Sequence, residues 1–367
     1  MSAPGALFEP VRLGALTLPN RMVMAPMSRA RAHPDGTPSA LMAAHYAQRA
    51  TAGLIVAEGT HPVPGGALGP AAPGLFTDAH QEGWARIADA VHGAGGRIFL
   101  QLMHAGRLAH PAFLPGGVRP VAPSAVAAAR TLVHTPGGRV PAVTPDALTE
   151  PALHALIDAF ARAAGRAVAA GTDGVEIHAA NGYLLHQFLA GNANLRTDRW
   201  GGDTEGRVRL TVEVARAVAA TVGPHRVGVR ISPSNPFGDL TESDPYGTYT
   251  TLARALAPLG LAYLHHSPTG TELDGALREL WPSALVVTPL SCGRDRPRAA
   301  AHALAHGADL VSFGRDFLAN PDLVTRCRAG APLNEVRPTG FYGGGAEGYT
   351  DYPALPGGVG GAEGRAG

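Results

Sequence analysis

The chain contains no lysine, and this absence excludes two classes of enzyme. All 30 basic side chains among its 367 residues are arginines. Without a lysine amine, no lysine Schiff base can form with a carbonyl substrate or with pyridoxal phosphate. A P-loop nucleotidase also needs a lysine to reach the phosphates of its nucleotide. We therefore expect neither chemistry.

Cysteine is nearly absent as well. The chain has two cysteines, Cys292 and Cys327. Two are too few for a disulfide framework, a cysteine-rich zinc site or a four-cysteine iron–sulfur cluster. Two reduced thiols are typical of a cytosolic protein, so we expect a cytoplasmic location.

An excess of charge of one sign and long apolar runs are also missing. The 30 basic and 29 acidic side chains give a formal net charge of +1, which does not favour nucleic acid or an anionic membrane surface as a partner. No apolar run approaches the ~20 residues of a membrane-spanning helix. The N-terminal residues MSAPGALFEPVRLG lack the charged start and apolar segment of a signal peptide. We expect a monomer or homodimer that binds small molecules.

Short apolar runs alternate with longer amphipathic segments along the chain. The apolar runs lie between Gly or Pro residues and are predicted to be buried strands, over residues 22–25, 54–58, 97–102, 174–178, 226–231, 261–265, 284–288 and 309–313. Helices are predicted between them, over residues 39–52, 78–94, 150–170, 205–222, 246–259, 272–280, 296–306 and 316–328. This alternation predicts an α/β fold, a (β/α)8 TIM barrel. A doubly wound sheet is the alternative, but the first strand is followed by APMSR and not by a glycine-rich turn.

Two stretches exceed the barrel pattern. Residues 104–148 form a Pro- and Gly-rich insertion after the third strand, and loops of that length usually carry function. Residues 330–354 follow the last helix and are rich in Tyr and Gly. We expect a single domain over residues 1–354 and a flexible tail over residues 355–367.

The seventh and eighth predicted strands both end in Gly-Arg, at Gly293–Arg294 and Gly314–Arg315. Barrel enzymes build their active sites at these carboxyl ends, and the last two strands commonly bind a phosphate. Backbone N–H groups and an arginine fork would hold it. The alternative is a pair of tight turns with surface arginines, but the repetition favours phosphate.

A second group of polar residues follows the fourth strand. His178 and Asn181 are three residues apart, and Tyr183 lies just beyond them. The first two side chains can bind a carbonyl or nitro oxygen, and a tyrosine hydroxyl of pKa ~10 can deliver a proton. From the spacing alone, a helix-capping His and Asn with a core tyrosine is an equally good interpretation.

Two further polar residues are predicted inside the barrel. Arg230 in VGVRIS needs an anion, an electron-rich ring or a distant acidic partner. Gln101 in IFLQLM needs a backbone partner or the edge of a heterocycle. No metal site is expected, because the first strand lacks His-x-His and adjacent His265 and His266 point to opposite faces of a strand. A glycosidase is disfavoured, because Glu58 has no second carboxylate at the ends of strands six and seven.

Several segments together resemble one family. They extend from Leu7 to about Pro353 and include LPNRMVMAPMSRARA, APGLFTD, QLMHAGR, GVEIHAANGYLLHQFL, LRTDRWGG, VGVRISP, FGRDFLANPDL and FYGGGAEGYTDYP. The chain resembles the Old Yellow Enzyme family of flavin-dependent ene-reductases. Within it, the chain most resembles the bacterial branch of N-ethylmaleimide reductase and pentaerythritol tetranitrate reductase.

The resemblance implies a barrel that holds FMN non-covalently and is reduced by NAD(P)H. It implies that Gln101 and Arg230 bind the pyrimidine end of the flavin. The phosphate would be held by Gly293, Arg294, Gly314 and Arg315. Other residues implied beside the flavin follow the first two strands: Pro26, Met27, Ser28, Glu58 and Gly59.

The resemblance also implies a substrate class and a mechanism. His178 and Asn181 would bind the electron-withdrawing oxygen of an α,β-unsaturated carbonyl, a maleimide or a nitroalkene. Flavin N5 would give hydride to the β-carbon, and Tyr183 would protonate the α-carbon. The same hydride would release nitrite from nitrate esters. Met103 and Tyr342 would line the substrate site.

The chain departs from the family pattern at two of these positions. Ser28 stands where the family has Thr or Cys, and it keeps a hydroxyl. Met103 stands where this branch often has Trp, so we expect a more open pocket.

Two other functions fit the sequence less well than the ene-reductase. A reductase of the dienoyl-CoA type needs an iron–sulfur cluster and a further flavin domain, which two cysteines in 367 residues exclude. A flavin-binding barrel without significant turnover would have no need for the proton donor, and the chain has His178, Asn181 and Tyr183 together.

Overall fold

The computed structural model describes residues 4–289 and 296–356. Its strands in chain order are β1 (Val11–Leu13), β2 (Leu16–Leu18), β3 (Met22–Met24), β4 (Leu54–Val56), β5 (Ile98–Leu102), β6 (Val121–Ala122), β7 (Leu132–Thr135), β8 (Gly138–Pro141), β9 (Asp146–Ala147), β10 (Gly174–Ala179), β11 (Val227–Ile231), β12 (Tyr263–His266), β13 (Ala284–Val287) and β14 (Leu310–Phe313). Its α-helices are α1 (Ala40–Ala47), α2 (Asp78–Gly93), α3 (Glu150–Ala169), α4 (Leu184–Leu189), α5 (Thr204–Val222), α6 (Pro245–Leu256), α7 (Glu272–Leu280), α8 (Arg296–Ala305), α9 (Arg315–Ala319) and α10 (Leu323–Ala329).

Strands β3, β4, β5 and β10 to β14 close into a barrel in which neighbouring strands are parallel. This confirms the predicted (β/α)8 barrel and excludes the doubly wound sheet. Helices lie between successive strands in the chain and bury one apolar face each. In α3, for example, Leu153, Phe160 and Ala164 are buried, which is the pattern of a helix packed on a sheet.

One helix predicted as continuous is divided in two. Residues 316–328 contain the end of α9 and most of α10, and Asn320 between them is extended, with φ −128° and ψ 94°. Pro321 causes the break, because proline has no N–H donor and disfavours a helical conformation for the residue before it.

The lower part of the barrel interior is apolar. Leu13 and Leu18 of the β1–β2 hairpin belong to one buried cluster with Phe99 and Tyr263. A Cβ atom at Gly228 would lie 2.2 Å from Cζ of Tyr263. The missing side chain at Gly228 therefore gives the tyrosine ring its space inside the barrel.

The predicted insertion, residues 104–148, follows β5 and contains two small sheets of its own. Strands β7 and β8 form an antiparallel hairpin, and β6 pairs with β9. Near the start of the insertion, Arg107 donates through Nη2 to the carbonyl oxygens of Gly238 at 3.0 Å and Asp239 at 3.1 Å. The insertion is thereby tied to the loop that follows β11.

No helix in the described parts of the chain is both long enough and apolar enough to cross a bilayer. Residues 357–367 of the predicted tail lie outside the described residues, as do Gly293 and Arg294.

Candidate active site

The upper part of the barrel interior is polar. Gln101, Glu176, His178, Arg230 and His265 are all buried there. The strand register places Glu176 beside Gln101, and His178 beside Arg230, with His265 next to Arg230 on the other side. The change from apolar to polar side chains therefore occurs at the carboxyl ends of the strands, where barrel active sites are found.

Glu176 is the centre of a hydrogen-bond network that the sequence analysis did not predict. Its carboxylate accepts from Nε2 of Gln101 at 2.8 Å, from the hydroxyl of Tyr263 at 3.1 Å and from Nδ1 of His265 at 2.8 Å. Burial raises the pKa of Glu176, but His265, the hydrogen bonds and Arg230 outweigh burial, so the pKa lies below its usual value. The network therefore holds a negative charge beneath the site.

Arg230 has a charge neighbour but no hydrogen-bond acceptor within residues 4–289 and 296–356. Burial lowers its pKa, and the charge of Glu176 opposes that shift. Since a buried guanidinium carries five donors, its fork remains available to a ligand with acceptor atoms. Arg230 therefore has a distant acidic partner, Glu176, and it still has hydrogen-bond donors available for a ligand.

The turn after β10 brings His178, Asn181 and Tyr183 together. The ring centroids of His178 and Tyr183 are 5.1 Å apart. Asn181 has a φ of 51°, which is uncommon for a residue other than glycine. Helix α4 holds this turn, because His186 Nδ1 accepts from the N–H of Gly182 at 2.9 Å. Nε2 of Gln187 donates to the Gly182 carbonyl at 2.8 Å.

The protonation states in this turn suit hydrogen-bond donation. Burial, with the nearby charge of Arg230, holds the pKa of His178 well below its ordinary value, so its imidazole is neutral at pH 7. Its Nδ1 is buried without a partner in the described residues. Burial also raises the pKa of Tyr183, and Tyr342 adds to the shift. The Tyr183 hydroxyl therefore keeps its proton at neutral pH.

Glu58 holds the loop that follows β3. Its Oε2 accepts from the N–H groups of Arg29 at 2.9 Å and Ala30 at 3.0 Å, and the hydroxyl of Tyr46 donates to Oε1 at 3.3 Å. Burial raises the pKa of Glu58. These bonds fix the segment directly after Ser28, whose hydroxyl makes no hydrogen bond within the described ranges.

Two glycines of the predicted cofactor set lie against methionines. A Cβ atom at Gly59 would lie 2.6 Å from Sδ of Met103, and Met103 is buried. A Cβ atom at Gly314 would lie 3.5 Å from Sδ of Met27. The loop after β3 therefore meets the end of β14, and the loop after β4 meets the end of β5.

The C-terminal segment, residues 340–349, is held above the barrel by Arg29 and Arg31. Nε of Arg29 donates to the Phe341 carbonyl at 2.9 Å, and its Nη2 donates to the Gly348 carbonyl at 2.8 Å. Arg31 donates to the carbonyl oxygens of Gly340, Gly345 and Glu347. Because Arg29 and Arg31 lie one and three residues after Ser28, the loop after β3 also positions the segment that carries Tyr342.

Of the residues predicted to bind phosphate, the structure describes Gly314 and Arg315. Gly314 directly follows β14, and Arg315 is exposed with its guanidinium carbon 6.0 Å from the centre of the Phe341 ring. Exposed donors at this strand end are free to meet a solvent-borne anion. Gly293 and Arg294 lie outside the described residues.

Tyr342 is 71% exposed, in contrast to the buried polar layer below it. Of the predicted substrate residues, it is the one that faces solvent, while Met103 is buried. Glu176, Arg29 and Arg31 are functional-site residues that the sequence patterns did not predict. One feature of the sequence could have indicated them. Glu176 is a charged residue within a buried apolar run, and Arg29 and Arg31 are charged residues close to Ser28.

Comparison with known proteins shows the family to which the chain belongs. A family model described as the NADH:flavin oxidoreductase / NADH oxidase family matches residues 6–334. The chain is 40% identical over 361 residues to a protein of Leishmania infantum named a probable flavin mononucleotide-dependent alkene reductase, and the match covers 95% of this chain and 97% of that one.

Solved structures give the same result. Morphinone reductase in complex with tetrahydroNAD matches with a TM-score of 0.91 and 43% identity, covering 95% of this chain and 98% of that chain. An Old Yellow Enzyme homologue from Zymomonas mobilis matches with a TM-score of 0.91 and 40% identity, covering 95% and 100% of the two chains.

Proposed function

Because the chain belongs to the NADH:flavin oxidoreductase / NADH oxidase family, of the Old Yellow Enzyme type, we propose that His178, Asn181 and Tyr183 perform its chemistry at the top of the barrel. The protein is an FMN-dependent, NAD(P)H-dependent ene-reductase. The observation that carries the assignment of residues is the turn after β10. It gathers a neutral imidazole, an amide and a protonated phenol within one short segment.

The polar groups left without partners fit FMN. A flavin offers carbonyl and ring-nitrogen acceptors at its pyrimidine end, and the free fork of Arg230 supplies donors for them. Gln101 gives its amide N–H to Glu176, so its carbonyl oxygen is available to accept from a ring N–H. Arg230 and Gln101 would therefore hold this end of the ring.

The loops after β3 and β4 would hold the same cofactor from the side. Pro26, Met27 and Ser28 follow β3, and the Ser28 hydroxyl is free to donate to a flavin carbonyl. The Glu58 carboxylate is occupied by the loop, so we propose that Glu58 and Gly59 contact the cofactor through the backbone alone.

At the far end of the cofactor, Gly314 and Arg315 would bind the phosphate. A backbone N–H and a guanidinium are the donors that a phosphate prefers. Gly293 and Arg294, which the sequence predicts to share this phosphate site, lie outside the described residues.

The substrate residues act on an activated alkene. His178 and Asn181 donate hydrogen bonds to the oxygen of the electron-withdrawing group and so stabilise the negative charge that develops there. The hydride for the β-carbon would come from NAD(P)H by way of FMN, when FMN is bound. Tyr183 delivers the proton to the α-carbon, for which its raised pKa keeps it in the protonated form. We propose α,β-unsaturated carbonyls, maleimides and nitroalkenes as substrates, and nitrate esters as a further class.

The walls of the substrate site are proposed from both sides of the mouth. Tyr342 on the C-terminal segment contributes one wall and Met103 at the end of β5 the other. The matching morphinone reductase structure is a complex with tetrahydroNAD, which supports the proposal that this chain binds a nicotinamide cofactor. A place beside N-ethylmaleimide reductase and pentaerythritol tetranitrate reductase stays a prediction.

Anaerobic oxidation of NADPH in the presence of cyclohexenone tests the function. We expect consumption of NADPH in proportion to cyclohexanone formed, measured by absorbance and by gas chromatography. A yellow protein that is not reoxidised by cyclohexenone, maleimide or a nitroalkene after reduction would support the alternative, a flavin-binding barrel without significant turnover. A colourless protein that FMN cannot reconstitute would overturn both.

A further inference from the structure

The loop that follows β11, residues 232–242, lies against the turn that carries Asn181. The backbone N–H of Asn181 donates to Oγ of Ser232 at 2.7 Å. The side chain of Asn235 donates through Nδ2 to Oδ1 of Asn181 at 3.1 Å. Both the backbone and the side chain of Asn181 are therefore held from one loop.

The orientation of the Asn235 amide is set by its own neighbour. The backbone N–H of Phe237 donates to Oδ1 of Asn235 at 2.9 Å. Because that oxygen is taken as an acceptor, the Nδ2 group of Asn235 must be the end that faces Asn181. Because Oδ1 of Asn181 accepts from Asn235, Nδ2 of Asn181 is presented on the opposite side of its amide. Asn181 Nδ2 has no acceptor within the described residues.

The loop itself is rigidly anchored. Oε2 of Glu242 accepts from the N–H of Ser234 at 2.6 Å, and its Oε1 accepts from the hydroxyl of Tyr249 at 2.6 Å. Nε2 of His186, in the helix that holds the Asn181 turn, lies 3.2 Å from Oε1 of Glu242. Ser234 has a φ of 60° and Asn181 a φ of 51°. Two residues in this sparsely populated conformation persist only where the surrounding contacts require them.

We propose that Asn235 is a positioning residue for substrate binding, which orients the Asn181 amide so that Nδ2 donates to the electron-withdrawing oxygen of the ligand. This rests on the proposed function, because it assumes that Asn181 binds that oxygen. Without Asn235, the Asn181 amide can rotate by 180° and present an acceptor, which a carbonyl, nitro or phenolate oxygen would repel.

A phenol titration of the FMN-loaded protein tests the proposal. The probe is para-chlorophenol, and the readout is its dissociation constant from the change in flavin absorbance. Asn235→Ala removes the donor, and we expect about tenfold weaker binding. Asn235→Asp offers only acceptors to Asn181, so it favours the rotated amide, and we expect a larger loss. The melting temperature and the FMN content report whether each variant is folded. Asn235→Ser is a third variant, in which the change in the side chain is smaller.

A double-mutant cycle with Asn181→Ala separates the explanations. If Asn235 acts through Asn181, the Asn235 variants have no further effect on phenol binding once Asn181 is alanine. Equal fold-changes in both backgrounds would overturn the proposal, because Asn235 would then act through its field or through the loop. If Asn181→Ala weakens phenol binding but the Asn235 variants do not, this proposal fails while the proposed function stands. If Asn181→Ala has no effect, the proposed role of Asn181 fails, and the role of Asn235 fails with it.

Discussion

The side-chain nitrogen of Gln101 donates to the carboxylate of Glu176 at 2.8 Å, and Arg230 lies two residues further along the neighbouring strand than Gly228, the register partner of Glu176. This bond fixes which end of the Gln101 amide faces the cofactor site. Glu176 also provides a buried negative charge beside the proposed site of a ring system that becomes more negative when it is reduced. Glu176 therefore orients the Gln101 amide and also contributes a negative charge to the site.

We expect Glu176→Gln to raise the midpoint potential of the bound FMN. The substitution keeps the size of the side chain but removes the charge that offsets Arg230, so the reduced flavin is stabilised by about 1.4 kcal/mol, or tenfold in the redox equilibrium. Spectroelectrochemistry measures the shift. Tyr263→Phe removes one hydrogen bond from the same carboxylate and keeps its charge, so it should change the potential less. An unchanged or lowered potential in Glu176→Gln would contradict this account.

Tyr183→Phe is expected to slow alkene reduction by on the order of 10²–10⁴, the usual contribution of a general acid. Reduction of the flavin by NADPH needs no proton from Tyr183 and should be largely unaffected. Stopped-flow absorbance follows the two half-reactions separately. Tyr342→Phe is the matched control, and we expect a change of a few fold at most. Equal losses in both half-reactions would show that Tyr183 is not the proton donor.

The protein should lose stability as the pH falls below 7. Burial lowers the pKa of His61 to about 3 and that of His104 to about 4, and it lowers the pKa of His178 as well. The unfolded chain takes up protons near pH 6.5 while the folded protein does not, so stability rises with pH through this range. Each such histidine changes the free energy of unfolding by up to about 1.4 kcal/mol per pH unit.

Urea unfolding at pH 7.5 and pH 5.5 with excess FMN measures this effect. In the native protein, Nδ1 of His104 accepts from the N–H of Gly106 at 3.0 Å. In His104→Asn, the side-chain oxygen can still accept from that N–H. The variant should show a smaller loss between the two pH values. Stability that stays constant or increases on acidification would be inconsistent with neutral buried histidines.

Arg29→Lys should loosen the segment that carries Tyr342. A lysine lacks the planar fork with which Arg29 donates through Nε to the Phe341 carbonyl and through Nη2 to the Gly348 carbonyl, and hydrogen bonds from a charged donor contribute about 1.5–3 kcal/mol. We expect faster hydrogen exchange in residues 340–349 and a higher KM for the alkene. Arg12→Lys, at an exposed position, is the control. Unchanged exchange in that segment would mean that Arg31 holds it without Arg29.

Gly59→Ala should destabilise the protein, because the new Cβ would lie 2.6 Å from Sδ and 2.8 Å from Cε of Met103. Overpacking of this kind costs about 1–3 kcal/mol. Thermal unfolding measures the loss, and a second substitution, Met103→Ala, should restore part of it. Gly65→Ala, with nothing within 4 Å of its Cβ, should be neutral. If Met103→Ala restores none of the stability that Gly59→Ala loses, the clash with Met103 is not the cause of the loss.

Local sequence patterns predicted the barrel well, because strand and helix periodicities are properties of short segments. The eight predicted strands are the strands of the barrel, and the insertion follows the third of them. The helix after β14 was predicted as one segment, and Pro321 was the local signal that divides it. The roles of His178, Asn181, Tyr183 and Arg230 stay predictions that the geometry supports.

The sequence by itself determined the order of elements, the strand ends that carry polar groups and the absence of lysine chemistry. Only the tertiary structure decided which of those groups meet. Glu176 and Tyr263 are 87 residues apart and are in contact because β11 pairs with both of their strands and Gly228, between them in the register, leaves space for the ring. Asn235 reaches Asn181 across 54 residues. Contacts of this kind depend on the register between strands and on loops that return over the mouth, and neither is encoded in the periodicity of one segment.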